Sequence, residues 1–304
     1  MNLPTNRAAF AGGAAYIDGQ FVPMAEARIP IGDWGFLHSD ATYDVAHVWQ
    51  GSFFRLEDHL DRFFRGMERL HMSLPLDRHQ IRDILFRCVR LTGLRDAYVE
   101  MICTRGLPAP GSRDPRQCSN RFYAFAIPFI WIADPEKQCQ GLHLIISQAQ
   151  RIPPEAVDPM VKNYHWMDMV AGLYEAYHRG GETAVLVDGQ GNIVEGPGFN
   201  IFVVKNGQVA TPARGILEGI TRKTVMEVAQ GLNIALEARA VAATEARQAD
   251  EVFITSTAGG VMPVTQVDGH LLDGGRPGPL TQQFRQQYWN LHQDPRYASP
   301  VQYD

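Results

Sequence analysis

Lysine is scarce in this chain: 4 of 304 residues, against 24 arginines. A chemistry that needs a reactive amine therefore has few positions to use. Cys88, Cys103, Cys118 and Cys139 show no CxxC pair and no zinc-type spacing, so no metal site and no disulfide framework is expected. Free thiols fit a reducing cytoplasm. No apolar run reaches about 18 residues, so no membrane span is expected. The first residues have no basic segment followed by an apolar core, which argues against a signal peptide. Basic residues form no run, and a formal charge of −5 with a pI near 6.1 argues against a nucleic-acid surface. No internal repeat is visible. What remains is an ordinary globular composition, long enough for one large domain or two smaller ones.

Of the four lysines, Lys137 follows Asp134-Pro135-Glu136, Lys205 enters an Asn-Gly turn, and Lys223 follows Arg222 in the first turn of an expected helix. These read as solvated. Lys162 alone follows an apolar approach, Pro159-Met160-Val161, and runs into Tyr164 and Trp166. Loss of hydration there favours a neutral amine, which can attack a carbonyl to form a Schiff base. A lysine with a packed stem and a wet head would show the same sequence.

Residues 1–12 read as a loose leader. Ala14 to Ile17 and Gln20 to Val22 flank Asp18-Gly19, a type I′ hairpin signal. A second strand pair is expected at 45–49 and 53–56, turning at Gln50-Gly51. Leu56, Leu60, Phe63, Phe64, Met67 and Leu70 recur at helical spacing, which predicts a helix over 57–71. Asp77 with Gln80 is a capping-box signature for a second helix stopping at Gly93. Strands are expected at 98–104, 121–131 and 142–151, with a Pro- and Gly-rich loop at 107–115. Residues 133–138 are polar, short and contain Pro, which suggests a boundary. The expected division is an N-terminal domain of 1–132, a linker of 133–140 and a larger C-terminal domain of 141–304. A helix ending at Gly180-Gly181, hairpins at Asp188-Gly189 and Asn206-Gly207, a helix from Gly219, a strand at 251–255 and a helix at 279–291 complete an α+β pattern.

Four features could serve Lys162. Glu195 ends an apolar strand before Gly196-Pro197-Gly198, where a carboxylate can be held partly buried; a strand-end charge in water is the plainer reading. Gly219-Ile220-Thr221 opens a helix whose free N–H groups and dipole attract an anion such as phosphate, or Thr221 is simply an N-cap. Ser256-Thr257-Ala258-Gly259-Gly260 offers two hydroxyls and a permissive backbone, or a tight turn. Arg62 shares a helix face with Asp58 and can grip a phosphate or form an exposed i,i+4 pair. A lysine, a carboxylate, two anion cradles and an arginine together match what pyridoxal 5′-phosphate needs.

These segments also resemble a family. His38-Ser39-Asp40-Ala41-Thr42-Tyr43-Asp44-Val45, Phe54 to His59, Asp158-Pro159 to Lys162-Asn163, Glu195 to Asn200, Gly219 to Lys223 and Thr257 to Gly260 resemble the class IV aminotransferases, and from about 14 to 303 the chain looks most like their (R)-selective amine transaminase branch. The resemblance implies a two-domain fold with the cofactor held between the domains, and a homodimer for which Trp34, Phe36, Trp49, Phe53 and Phe54 offer apolar surface. It implies Lys162 as the Schiff-base lysine, Glu195 beside the pyridine nitrogen, and Arg62, Ile220, Thr221, Ser256 and Thr257 around the phosphate. His38, Tyr43, Val45, Tyr98, Glu100 and Trp166 match substrate-pocket positions, although Tyr98 stands where phenylalanine is expected. Arg113, or else Arg116, matches the arginine that binds an acceptor's carboxylate. The activity implied is amino transfer between a chiral primary amine and a keto acid such as pyruvate. Branched-chain or D-amino-acid aminotransfer, or an aminodeoxychorismate-type lyase, is the alternative.

Overall fold

The computed structural model describes residues 7–303. The first half of the chain forms β1 (Ala14–Ile17), β2 (Gln20–Pro23), α1 (Trp34–Leu37), β3 (Ala41–Trp49), β4 (Ser52–Phe54), α2 (Leu56–Arg69), α3 (Arg78–Thr92), β5 (Ala97–Pro108) and β6 (Cys118–Pro128). Next come α4 (Pro135–Gln140), β7 (Leu142–Gln150), α5 (Met167–His178), β8 (Thr183–Val187), β9 (Asn192–Ile193), β10 (Glu195–Gly196), β11 (Phe199–Lys205) and β12 (Gln208–Pro212). The rest is α6 (Ile220–Gly231), β13 (Leu236–Arg239), β14 (Val241–Ala242), α7 (Ala243–Arg247), β15 (Glu251–Ser256), β16 (Gly260–Val267), β17 (His270–Leu271), α8 (Pro279–Asn290) and β18 (Ala298–Pro300). The class is α+β.

Two compact units are present. One comprises residues up to 130, 161–164 and from 292 on; the other comprises 131–160 and 165–291. The stretch 133–140, which the sequence suggests as a linker, is folded. Asp134 accepts from the Lys137 amide at 2.8 Å, Pro135 sits in the first turn of α4, and Ala133 and Gln138 are buried. The Asp-Pro pair is a helix start whose polarity mimics a linker.

The first unit is a seven-stranded antiparallel sheet in the order β18-β4-β3-β5-β6-β1-β2. Local chemistry sets its turns: Asp18 and Gly19, and Gln50 and Gly51, all adopt positive φ, as type I′ turns demand. The capping box at Asp77 and Gln80 is complete, and α3 stops at Gly93 in the left-handed region. On β3, Asp44, Ala46 and Val48 face one side and Tyr43, Val45 and His47 the other, because side chains alternate. Ala46 and Val48 join Leu60, Phe63 and Met67 of α2, and Leu85 and Val89 of α3, in the core. The β3–β5 register pairs Val45 with Glu100 and His47 with Tyr98, so the helix-free face carries Tyr43, Val45, Tyr98 and Glu100. A one-residue slip would exchange these for core residues.

The second unit is a mixed sheet in the order β13-β12-β11-β15-β16-β7-β8-β9-β14. β7 runs parallel to both β8 and β16, and β12 runs parallel to β13. Its core gathers Leu144, Ile146, Val185, Ile201, Val203, Val252, Ile254, Met262 and Val264.

Other expectations need adjustment. Residues 1–6 of the expected leader lie outside the described residues; 7–10 form a 3-10 turn with Phe10 buried, since its ring joins the core. Leu56 starts α2 rather than ending a strand, and β5 and β6 extend into the expected loop, pairing Pro108 with Cys118. The connection after Asp188 is wider than a two-residue hairpin, with Val187 opposite Ile193. Asp188 explains it by accepting from the Gln190 and Asn192 amides. Phe53 and Phe54 are buried within their unit and offer no interface; the exposed apolar side chains include Ile31, Phe36 and Leu37, and Met167, Tyr174 and Tyr177 of α5.

Candidate active site

Lys162 belongs to the first unit although its more distant sequence neighbours do not. Its carbonyl accepts from the Tyr43 amide and from Thr42 Oγ1, each at 3.0 Å, which fastens the residue to the start of β3. Val161 is buried, and Lys162 is half-buried. Nζ lies 4.5 Å from the Tyr43 ring centroid, within cation–π range. Tyr164 stacks on Tyr43 at 4.2 Å and 9°, and its hydroxyl donates to Glu100 Oε1 at 2.6 Å. Burial raises the Glu100 carboxyl above its ordinary range, against the hydroxyls of Tyr164 and Tyr98 and the charge of Lys162. The Tyr98 and Tyr164 phenols are pushed up by burial and by Glu100. An amine, a buried carboxyl and three phenols therefore gather at one sheet face with Val45. The sequence named Tyr164 only as an aromatic neighbour of Lys162 and gave it no role; its signal is the i,i+2 spacing from Lys162.

On the opposite face, Arg62 does not form the exposed i,i+4 pair with Asp58 that the sequence allowed. Its Nε and Nη2 grip Asp44 at 2.7 and 2.8 Å, while Asp58 pairs with Arg55 instead. His59 Nδ1 adds a contact to Asp44 at 2.7 Å. All three side chains are buried. Burial raises the Asp44 carboxyl, but Arg62 and His59 pull it well below the usual carboxylate range. Burial lowers His59, with Asp44 opposing. Asp44 orients Arg62 through a bidentate fork.

In the second unit, Glu195 is 4% exposed, not a solvated strand end. Oε1 accepts from Arg151 Nε at 3.1 Å, and Oε2 from the Leu217 amide at 2.8 Å. Arg151 also donates to Asp168 at 2.8 Å. Burial lowers the Arg151 guanidinium, and the Glu195 and Asp168 charges more than reverse this. Gly196 is required beside Glu195: a Cβ there would come within 2.1 Å of the Phe199 ring and 2.3 Å of the Ala184 carbonyl. Arg151 escaped the sequence reading because it is 44 residues from its partner.

The helix α6 is capped by Gly219, not Thr221, with no side-chain cap and no acid in its first turn. A Cβ at position 219 would lie 2.1 Å from Asn200 Oδ1. The amides of Ile220 and Thr221 thus head a helix whose amino end is open to an anion. Ser256 commits its hydroxyl proton to the Gly198 carbonyl at 2.8 Å, while Thr257 begins the turn to β16. Trp166 caps α5, with its indole near Gly198.

The β5–β6 connection separates the two candidate arginines. Arg116 is bound in bidentate fashion by Asp114, Nε to Oδ1 at 2.9 Å and Nη2 to Oδ2 at 2.6 Å. Arg113 is exposed and has no ion pair among the described residues. His38 is exposed, its ring edge-on to Trp34 at 4.6 Å. All four cysteines are free, and among the described residues no helix is long and apolar enough to cross a membrane.

Comparison with known proteins agrees with this chemistry. Residues 41–267 match the family described as Amino-transferase class IV. The chain is 32% identical over 279 residues to a putative branched-chain-amino-acid aminotransferase of Methanocaldococcus jannaschii, covering 91% of this chain and 95% of that one. It is 28% identical over 267 residues to the D-alanine aminotransferase of Bacillus licheniformis, covering 87% and 92%. Among solved structures, a T.th. branched-chain amino acid aminotransferase complexed with N-(5'-phosphopyridoxyl)-L-glutamate is similar, with TM-score 0.88 and 25% identity over 96% of this chain and 99% of that one. The chain belongs to the class IV amino-transferases and is an aminotransferase.

Proposed function

We propose that this aminotransferase uses pyridoxal 5′-phosphate to move an amino group between a chiral primary amine, of R configuration, and a keto acid such as pyruvate, in two half-reactions. The observation that carries the amine reading is the setting of Lys162: the Tyr43 ring beneath it, Tyr164 stacked on Tyr43, and the Glu100 carboxyl bonded to Tyr164. A buried carboxyl among aromatic rings offers no counter-charge to a substrate carboxylate and suits an amine with an apolar substituent. The residues fit the cofactor by their chemistry: a half-buried amine, a buried carboxylate held by Arg151, and an uncapped helix start. When bound, the cofactor supplies an electron sink that stabilises negative charge at the amine carbon.

Lys162 Nζ would hold the cofactor covalently until the incoming amine displaces it, and once freed would move the proton to and from the substrate carbon. Glu195, oriented by Arg151 and the Leu217 amide, keeps the pyridine nitrogen protonated. Ile220, Thr221 and Thr257 hold the phosphate with backbone and hydroxyl donors, Ser256 braces the same turn through Gly198, and Arg62 adds a cation fixed by Asp44. Tyr43, Val45, Tyr98 and Trp166 give the apolar substituent its surface, with His38 at its rim. Arg113 swings in for the keto acid's carboxylate and out to water for the amine. Two copies associate through the exposed apolar side chains of 29–37 and α5.

The names of the relatives favour a second reading, a branched-chain or D-amino-acid aminotransferase. Turnover of an (R)-arylalkyl amine, D-alanine and leucine separates the two, and an amine rate far below both amino acids sinks the first. Lys162→Ala is expected to fold and lose at least a hundredfold in turnover, since acid–base catalysis alone contributes about 10²–10⁴-fold. Near-normal turnover would exclude Lys162.

A further inference from the structure

The chain enters the first unit a second time for only four residues, 161–164, and Lys162 lies among them. Residues 162–166 belong to no helix or strand, so no ladder of main-chain bonds holds them. The Lys162 carbonyl is pinned by Tyr43 and Thr42, and beyond it the pin is a side chain. Tyr164 donates its hydroxyl to Glu100 Oε1 at 2.6 Å, and its ring lies 4.2 Å from that of Tyr43 at 9°. Glu100 is a firm anchor: it is 8% exposed, and β5 sits between β3 and β6 inside the sheet.

The amine needs such a pin. A lysine side chain is a flexible four-carbon stem, and a reacting group displaced by about 1 Å can cost about 100-fold in rate. Nζ lies over the Tyr43 ring, 4.5 Å from its centroid, so the place of that ring decides where the amine rests. Tyr43 is carried by β3, but its ring keeps torsions of its own, and a second ring nearly parallel to it removes that freedom. Tyr164 supplies the second ring, and its short bond to Glu100 keeps it in place. The same bond favours the ionised form of Glu100 against burial, with Tyr98 adding to it. Glu100, Tyr164, Tyr43 and Lys162 thus form one line of contacts, each fixing the next.

We propose that Tyr164 is a positioning residue for Lys162, anchored by its hydroxyl on Glu100 and holding with its ring the Tyr43 ring over which the amine lies. This rests on the reading of Lys162 as the amine that takes up the cofactor. The test is Tyr164→Phe, which keeps the ring and removes the anchor, alone and in a Glu100→Leu background, with Tyr164→Leu removing ring and anchor together. The apoprotein is mixed with pyridoxal 5′-phosphate and reduced with borohydride, and the rate at which Lys162 becomes labelled is read by mass spectrometry. The apoprotein's melting temperature is recorded, as are kcat and KM of the loaded enzyme for an arylalkyl amine. The phenylalanine protein should label Lys162 and turn over about tenfold more slowly, the size of one lost hydrogen bond to a carboxyl, with KM within about twofold of the parent. The leucine protein should lose about 100-fold. In the Glu100→Leu background the phenylalanine substitution should slow labelling no further, because the bond is already gone. A parental labelling rate in the phenylalanine protein, a change confined to KM or to the melting temperature, or an undiminished loss in the Glu100→Leu background overturns the proposal. A parent protein labelled first at another lysine would instead remove the reading of Lys162, and the role of Tyr164 with it.

Discussion

Replacing Arg151 with methionine keeps most of the aliphatic stem and deletes a guanidinium shared by two carboxylates. Glu195 and Asp168 lose a cation at 3.1 and 2.8 Å, at a place where no side chain of the three is more than 10% exposed. Removing one partner of a buried pair costs about 3–5 kcal/mol, because the other charge stays behind without compensation. Backbone donors remain to both, the Leu217 amide on Glu195 and the Ile152 amide on Asp168, so the lower end is expected. At about 2–4 °C per kcal/mol for a unit of this size, calorimetry should show the transition falling by about 6–12 °C. Arg151→Lys keeps a charge but cannot fork to both carboxylates, and should lose roughly half as much. In an Asp168→Asn background one carboxylate is stranded rather than two, and the methionine substitution should cost about 1–2 kcal/mol less. A loss below about 1 kcal/mol, or strict additivity with Asp168→Asn, would refute the buried-triad argument.

Glu195→Gln should slow turnover far more than it lowers the melting temperature, because an amide can meet the pyridine nitrogen but cannot balance its proton's charge; steady-state kinetics showing parental rates would take Glu195 out of the mechanism. Arg113→Ala should raise the KM for pyruvate strongly and that for an arylalkyl amine little, while Arg116→Ala, which removes only an exposed pair with Asp114, should change neither; the reverse pattern would reassign the acceptor site. His59 carries a pH signature. Burial holds its pKa below the unfolded value of about 6.5, so its contribution is complete above that pH and is lost as pH falls, at up to about 1.4 kcal/mol per unit. The melting temperature of His59→Asn should therefore fall less than the parent's between pH 6.5 and 5, and parallel curves would show that His59 takes up its proton in the folded state.

Much of the fold was legible where short-range chemistry decides it. Asp18-Gly19, Gln50-Gly51 and Asn206-Gly207 supply positive φ and make the expected tight turns, and Asp77 with Gln80 starts a helix that Gly93 ends. The apolar spacing from Leu56 to Met67 marks the buried stripe of α2. The scarcity of lysine singled out Lys162, and the glycines beside Glu195 and before Ile220 marked a tight turn and a helix start.

What needed the tertiary structure is every statement about what those residues meet. Polarity made 133–140 look like a linker, but Asp134 and Pro135 are also how a helix begins, and only packing over Ala133 and Gln138 separates the two. Arg62 reads equally well beside Asp58 or a phosphate; β3 brings Asp44 to it from 18 residues away. Arg113 and Arg116 stand three positions apart with similar neighbours, and loop geometry gives Asp114 to the second. The Arg151–Glu195 pair and the Tyr164–Glu100 bond close over 44 and 64 residues. Sequence alone determined the local elements and named the residues able to carry the chemistry, because backbone preferences act over a few residues. Sheet register and burial decided which charges are paired, because those depend on strands distant in the chain meeting in one alignment.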